Sequence, residues 1–193
     1  QNIYAQTHPT GSDRKGSGNM PGQSGKKGEK TDESAKFKPK DLTAQQTGMI
    51  NAFNRYICYI KPAEGDKQGQ DQLVEVKYAR ARTYFEAQHW EEASLAFRDI
   101  AMNNSEKDVG IYAAQLYLES LNVLGAHSEP PKPACFSKMA EDVPVFIKLY
   151  CEGSNFQKNQ EQCTTLTKIQ CDIQRLEAET LVKKADRGGA TSL

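Results

Sequence analysis

The sequence predicts an all-α protein made of antiparallel helix pairs. From Leu73 to Ile100, small residues alternate with large aromatic residues at the spacing of an α-helix, and a turn at Gln88–His89 divides this stretch in two. Closely packed helices place a small side chain on one opposite a ring on the other, so the alternation predicts a packed pair. The small residues are Ala79, Ala81, Ala93 and Ala96, and the rings are those of Tyr78, Tyr84, Phe85, Trp90 and Phe97.

Composition indicates one helical domain with a polar arm. Only 37% of the 193 residues are hydrophobic, and the mean hydropathy is −0.72, which is low for a chain that folds throughout. The formal net charge is zero, so the overall field favours neither nucleic acid nor an anionic membrane as a partner. No apolar run approaches the roughly 18 residues that would span a bilayer.

Residues 1–41 are predicted to be an extended, low-complexity arm. They are rich in Gly, Ser, Lys, Thr and Gln and contain very few aliphatic side chains, which cannot offset the entropy of ordering so many residues. In isolation we expect this arm to be disordered, and in an assembly we expect it to lie along a neighbouring subunit. The alternative is a solvated linker with no partner.

Residues 42–186 are predicted to form the helical domain, followed by a frayed tail at 187–193. A first helix begins at Leu42 or Thr43 and stops at Pro62. Helices follow at about 71–87 and 89–102. The next runs from Asp108 to Leu124, with Gly125 as a suitable C-terminal residue.

The C-terminal third is predicted to cap the helix pairs. A short helix over 135–141 and another that starts at Pro144 precede a long helix from Phe156 to about Ala185. Its face carries Leu166, Ile169, Ile173 and Leu176 with heptad spacing. This helix either closes the stack or docks onto another subunit.

The helix pairs resemble the tetratricopeptide repeat, in which each position is small or bulky because the helices must nest. The order that carries the resemblance is Ala81, Tyr84, Trp90, Ala93 and Phe97. Tyr112–Ala113 repeats Tyr78–Ala79 at a spacing of about 34 residues, the length of one unit. The resemblance implies an α-solenoid of about two units.

A narrower resemblance covers roughly residues 45–185. The segments that carry it include Phe53-Asn54-Arg55-Tyr56, Trp90-Glu91-Glu92-Ala93, Leu149-Tyr150-Cys151 and Gln170-Cys171. These segments look like tetratricopeptide proteins of myxobacterial and related deltaproteobacterial cell envelopes. This resemblance implies a scaffold rather than a catalyst, located in the periplasm or at the outer membrane.

The repeat register implies a concave surface that binds a partner. A lysine and asparagines would be needed to clamp a peptide carboxylate, but Tyr78 and Leu116 stand at those points, so a helix or an extended protein segment fits better. Ordinary packing between helices is the alternative for the aromatic residues. The predicted surface comprises Tyr78, Arg82, Phe85, Glu86, Tyr112, Leu116 and Glu119.

Cysteine positions favour disulfides in the C-terminal third. If residues 157–185 form one helix, Cys163 and Cys171 are about 12 Å apart along its axis, which is too far for a disulfide. A turn near Gly153 makes Cys151–Cys163 the easier bridge and leaves Cys135–Cys171 as the second. Free buried thiols or a metal site are the alternatives, and the absence of a Cys-x-x-Cys pair disfavours zinc. Cys58 is expected to be a small core residue.

Nothing in the sequence indicates catalysis. His89 and His127 are lone histidines beside turns and are expected to be polar surface, and no nucleophile elbow or phosphate-binding glycine loop is present. We therefore expect a non-catalytic protein–protein interaction scaffold, a subunit of a larger assembly, without metal or cofactor. The alternatives are a periplasmic peptide-binding or chaperone-like adaptor and a thiol-based redox protein.

Overall fold

The computed structural model describes residues 33–189, with side chains for residues 35–183. Within that range no residue is in a strand and the chain forms seven α-helices, so the all-α prediction is confirmed for this part of the chain. A short 3-10 turn at Glu33–Phe37 precedes them. The helices are α1 (Ala44–Tyr59), α2 (Lys67–Glu86), α3 (Trp90–Asn103), α4 (Asp108–Ala126), α5 (Ala134–Cys151), α6 (Asn155–Lys158) and α7 (Gln160–Gly189).

The first helices begin at side-chain caps. Thr43 accepts a hydrogen bond from the backbone N–H of Gln46, whose side chain accepts one from the backbone N–H of Thr43. Asp66 likewise accepts a hydrogen bond from the N–H of Gly69 at the start of α2. Such caps satisfy donors that the helix itself leaves without a partner. The sequence thus fixes where both helices start.

Each of the long helices packs against the next one along the chain, from α1 to α5, and α5 then packs against α7. In addition, α2 contacts α4, and α4 contacts α7, so every second helix lies on a common side. The loop between α2 and α3 contains only Ala87, Gln88 and His89, and Gln88 adopts a positive φ of 63° there. This tight turn makes α2 and α3 an antiparallel pair.

The alternation of small and large residues builds the interface between α2 and α3. Ala81, Ala93 and Phe97 are fully buried, Trp90 is nearly so, and Tyr84 is half-buried. Full burial of a large apolar side chain contributes about 1.5–3 kcal/mol, so the rings supply much of the stability of the pair. The alanines let the helix backbones approach closely enough for the rings to make contact.

The predicted break between two helices at residues 142–144 is wrong. α5 is one helix from Ala134 to Cys151, with Pro144 inside it. A proline in a helix interior costs about 3 kcal/mol because it removes a hydrogen bond and crowds the preceding turn. Met139, Val143 and Phe146 are buried on both sides of the proline, and this continuous apolar face offsets that cost.

Only the first half of α7 caps the bundle. Leu166 and Ile169 are buried and Ile173 is half-buried, whereas Leu176 is 44% exposed and Leu181 is 67% exposed. α7 packs against α5, and Cys151 at the end of α5 lies opposite Cys163 near the start of α7. α7 is the longer helix, so its later turns extend past the beginning of α5. The helix continues to Gly189, into the segment predicted to fray.

One of the two predicted disulfides is present. The sulfur atoms of Cys151 and Cys163 are 2.07 Å apart and their Cα atoms 5.6 Å apart, which confirms that bridge. Cys135 and Cys171 are free, so the second predicted bridge is wrong. α5 and α7 are antiparallel, and counting back from the bridge places Cys171 level with Val143. Cys135 lies eight residues before Val143, about 12 Å further along the helix axis, beyond disulfide reach.

Cys58 is exposed rather than a core residue, which corrects that prediction. α1 has one neighbour along most of its length, α2, and it turns Ile50, Phe53 and Ile57 toward the bundle. Cys58 is one residue beyond Ile57, a rotation of about 100° around the helix. Its side chain therefore points away from the packed face.

Candidate protein-interaction surfaces

The seven residues predicted to line a concave surface all lie on α2 or α4. These two helices contact each other directly, although α3 separates them in the sequence. None of the seven is fully buried. We refer to this side of the two helices as the α2–α4 face. Glu119 is exposed, and the other six are half-buried: Tyr78, Arg82, Phe85, Glu86, Tyr112 and Leu116.

Two of these residues serve mainly in packing between helices. The Phe85 ring lies edge-on to Trp90, with ring centroids 5.1 Å apart, and also contacts Phe97. The Tyr78 ring lies edge-on to Phe97 at 5.7 Å. Edge-to-face pairs of this kind add about 0.5–1.5 kcal/mol to the burial energy. Phe85 and Tyr78 thus hold α2 on α3 and present only part of each ring to the face.

Charged groups occupy the middle of the α2–α4 face. Arg82 Nη2 donates to Glu86 Oε1 at 2.8 Å, one turn along α2. Desolvation raises the pKa of Glu119 on α4, and the positive charge of Arg82 partly opposes that shift. Glu119 is exposed as a residue, yet enough protein surrounds its carboxyl group to desolvate it. Glu86 is thus the hydrogen-bond partner of Arg82, whereas Glu119 only lies in the field of the same guanidinium.

A second cluster joins α3, α4 and α5 and was not predicted from the sequence. Asp142 is only 3% exposed, and it accepts hydrogen bonds from Arg98 Nε at 2.8 Å, Arg98 Nη2 at 3.1 Å and the Tyr117 hydroxyl at 2.6 Å. Lys138 Nζ lies 3.4 Å from the same carboxylate. Both oxygens of Asp142 therefore have partners within the fold. The carboxylate is thus satisfied within the fold, while the side chain of Arg98 remains 39% exposed.

The pKa values follow from these contacts. Desolvation by itself would raise the pKa of Asp142, but hydrogen bonds from Arg98 and Tyr117 and the nearby positive charges outweigh it, and the pKa falls below 3.8. Burial and the hydrogen bond to Asp142 raise the pKa of Tyr117, which therefore keeps its proton. The carboxylate is ionised and the phenol is neutral at physiological pH.

A third surface is the groove that holds residues 36–40, which we call the strap. Trp90 Nε1 donates to the Phe37 carbonyl at 2.7 Å, and Gln88 Nε2 donates to the Lys36 carbonyl at 2.8 Å. The backbone N–H of Lys40 donates to the Ala87 carbonyl at 2.9 Å. The turn between α2 and α3 thus contacts mainly the backbone of the strap.

Side chains complete the strap groove. The Phe37 ring stacks on His127, with centroids 4.5 Å apart, and tilts against Trp90 at 6.4 Å. Lys38 Nζ lies 3.3 Å from Glu129 Oε2, and His89 Nε2 lies 2.9 Å from the Lys40 carbonyl. The two histidines that were expected to be plain polar surface therefore both contact the strap. In the sequence, the aromatic residue Phe37 within the polar segment is the signal that could have indicated that the strap is bound.

The strap also changes the account of the arm. The sequence assigned residues 1–41 to one arm held by a neighbouring subunit, yet residues 36–40 lie on their own chain. The rest of the predicted arm, residues 1–32, lies outside the described residues. The tail from residue 190 onward lies outside them as well.

A polar cleft of about 340 Å³ lies beside the end of α5 and the start of α4. Its two lysines are paired, Lys107 with Asp71 at 2.5 Å and Lys158 with Asp108 at 2.5 Å. Among residues 33–189, no three His, Cys, Asp or Glu side chains are grouped so that they could hold a metal ion. In the same part of the chain, no helix is both long and apolar enough to cross a membrane.

Comparison with protein-family models, with curated proteins and with solved structures finds no match to this chain. Function is therefore inferred from the surfaces themselves. The α2–α4 face is the candidate surface for another protein, since both oxygens of Asp142 have partners, the lysines of the cleft are paired, and the strap of the same chain fills its groove.

Proposed function

We propose that this chain is a non-catalytic scaffold for protein–protein interaction and a subunit of a larger assembly. In this proposal the helix pairs are tetratricopeptide-like units, and α7 is the cap of a short α-solenoid. The contacts of α2 with α4, and of α4 with α7, support this arrangement because alternate helices of such a stack share one side. The partner binds on that side.

One observation carries the proposal: among the described residues no hydrogen bond reaches the Glu119 carboxyl group, whereas both oxygens of Asp142 accept hydrogen bonds. Arg82 and Glu86 are about one-third exposed, and Glu119 is exposed with a raised pKa. A desolvated carboxyl group beside an arginine with spare donors is suited to a partner that brings a positive charge and a hydrogen-bond acceptor. Half-buried Tyr112 and Leu116 give the same face an apolar component.

The partner chemistry follows from these groups. The Glu119 carboxyl group favours a segment with lysine or arginine, and the exposed parts of the rings favour apolar anchors next to that charge. A helix or an extended segment of another protein provides both. A peptide C-terminus does not fit, because its carboxylate would face Glu86 and Glu119.

We place the assembly in a bacterial envelope, in the periplasm or at the outer membrane. The Cys151–Cys163 disulfide supports an oxidising compartment, since such bridges persist there and are rare in a reducing cytosol. Residues 1–32 of the arm would lie along a neighbouring subunit. The lysines of that segment suit an acidic surface on the neighbour.

The experiment is a gentle purification of the intact chain from cells that express it, followed by native mass spectrometry. A scaffold subunit is expected in a complex heavier than the 21.5 kDa chain, with at least one other protein in a fixed ratio. A chain that elutes alone, or together with proteins in varying amounts, would contradict the proposal.

The alternative function is a periplasmic peptide-binding or chaperone-like adaptor. The acidic character of the Arg82 cluster favours it, since short basic segments could bind there without forming a stable complex. Titration of the chain with basic and acidic peptides of equal length separates the two functions. Saturable binding of basic peptides by an otherwise monomeric chain favours the adaptor. For a redox role, burial raises the pKa of the Cys135 thiol, which disfavours that residue, and Cys58 and Cys171 are the exposed free thiols to test.

A further inference from the structure

We propose that the strap groove is a recognition site for a short basic segment with one aromatic side chain, and that its partner in an assembly is the strap of a second copy of this chain. The structure shows the groove filled by residues 36–40 of the same chain. This inference names one partner for the scaffold and so rests on the proposed function.

The groove recognises backbone more than sequence. The carbonyls of Lys36, Phe37 and Lys40 each have a side-chain partner, from Gln88, Trp90 and His89 respectively. The N–H of Lys40 donates to a carbonyl in the turn that ends α2. These contacts hold a main chain that leaves the 3-10 turn at Phe37 and continues without regular structure to Lys40.

One slot and one acidic position give the groove its selectivity. The slot between His127 and Trp90 accepts a ring, here that of Phe37. Glu129 pairs with Lys38 at the exposed edge, where both side chains are more than half exposed. Glu92 adds a second carboxylate 3.9 Å from His89. A segment of the form Lys-Phe-Lys-Pro-Lys satisfies all of these features.

The strap can leave its groove without unfolding a helix. Residues 41–43, which join it to α1, are not helical, and apart from half-buried Leu42 they are exposed. The capping box at Thr43 fixes the start of α1 whether or not the strap is bound. A strap from a second copy would make identical contacts in the vacated groove. Exchange then costs only the entropy of association. That cost falls as the concentration of the chain approaches the effective concentration of the tethered strap, on the order of millimolar.

The test uses the unmodified chain. Equal amounts of ¹⁵N-labelled and unlabelled full-length chain are mixed, incubated at rising concentration, and treated with a zero-length carbodiimide that joins a paired ammonium and carboxylate. Mass spectrometry then measures the fraction of Lys38–Glu129 links that combine the two isotopes. The control is the Lys132–Glu91 pair, in which both residues belong to the helical body. A free peptide of residues 33–41 serves as the competitor.

Exchange between copies predicts mixed-isotope Lys38–Glu129 links that rise with concentration toward about half of the total. The Lys132–Glu91 links should stay within one isotope, and the peptide should suppress the mixed links. A Phe37→Ala chain should lose most Lys38–Glu129 links, whereas a Phe156→Ala chain, which loses an exposed ring elsewhere, should keep them.

A mixed fraction no larger than that of the Lys132–Glu91 control at every concentration would overturn the proposal. Retention of the links in the Phe37→Ala chain would do so as well. Either result leaves the α2–α4 face untouched, because the native mass of the complex tests that face independently.

Discussion

Two arginine–carboxylate clusters in this protein have the same chemistry and opposite roles. Asp142 receives two hydrogen bonds from Arg98 and one from Tyr117, and its pKa is lowered. Glu119 lies in the field of Arg82, whose hydrogen bond goes to Glu86, and its pKa is raised by desolvation. The cluster at Asp142 stabilises the joint between three helices. In the proposed function, a partner completes the cluster at Glu119.

The difference comes from the number of donors, not from the arginine. Charge and hydrogen bonds must together outweigh the cost of removing a carboxylate from water. Three direct hydrogen bonds achieve this for Asp142, whereas a single cation without a direct hydrogen bond does not for Glu119. A buried carboxylate paired with an arginine is therefore not by itself a sign of function in this fold.

Removal of the Asp142 carboxylate should have the largest effect. Asp142→Ala leaves the buried Tyr117 hydroxyl without its acceptor and Arg98 without its counter-charge at the junction of α3, α4 and α5. Because Arg98 is 39% exposed and water can solvate it, we expect a cost of about 3 kcal/mol in the free energy of unfolding, the lower end for a broken buried pair. Urea denaturation measures this. Glu141→Ala is the matched control, a neighbouring exposed carboxylate that pairs with Lys138, and should cost less than about 1 kcal/mol. Equal losses for the two variants would refute the contrast between sealed and open clusters.

Removal of one donor should have an intermediate effect. Tyr117→Phe keeps the ring that packs edge-on against Phe146 but deletes the 2.6 Å hydrogen bond to Asp142. We expect a loss of about 1.5 kcal/mol, the usual size for a hydrogen bond to a charged group. Tyr59→Phe, at an 80% exposed hydroxyl on α1, should change nothing measurable. A Tyr117→Phe chain as stable as the wild type would mean that the hydrogen bonds from Arg98 alone offset the cost of burying the Asp142 carboxylate.

The two carboxyl groups should titrate on opposite sides of their ordinary values. ¹³C NMR of the carboxyl carbons should place the pKa of Asp142 below 3.8 and that of Glu119 above 4.5. Asp142, with its lowered folded pKa, contributes stability above its unfolded pKa that is lost as pH falls through the folded value. Glu119, with its raised folded pKa, has the opposite sign: its contribution is present at low pH and lost as pH rises through the folded value. A lowered pKa at Glu119 would show that its cluster is already satisfied.

Removal of the open arginine should have the smallest effect on stability. Arg82→Ala breaks a partly exposed pair one turn apart on a helix, which contributes about 0.3–0.5 kcal/mol. We expect the melting temperature to fall by no more than a few degrees. A loss of more than about 2 kcal/mol would instead assign Arg82 a structural role like that of Arg98.

The sequence predicts the helix pairs well because their pattern is local. Ala81, Ala93 and Phe97 are fully buried where small and large residues alternate along α2 and α3. The seven residues of the predicted concave surface all fall on α2 and α4, although Phe85 and Tyr78 are partly used in packing. The Cys151–Cys163 bridge follows from one turn between two helices.

The features that sequence reasoning missed depend on contacts between distant residues. Arg98 and Asp142 are 44 residues apart, and nothing local tells which arginine will meet the one acidic residue on the buried side of α5. The strap was missed because the composition of residues 1–41 was averaged, which hid the single Phe37. The prediction of a Cys135–Cys171 bridge was wrong because the distance between these two residues depends on how α7 lies along α5.

The most direct test of the central claim is the amount of partner protein that stays with the chain when the Glu119 carboxyl group is removed. Complexes of wild-type chain, Glu119→Gln and Glu161→Gln, an exposed glutamate on α7, are purified side by side and their partners quantified. The account predicts at least ten-fold less partner on Glu119→Gln, at nearly unchanged melting temperature, and wild-type amounts on Glu161→Gln. Equal recovery on all three chains would contradict the assignment of the α2–α4 face as the binding surface.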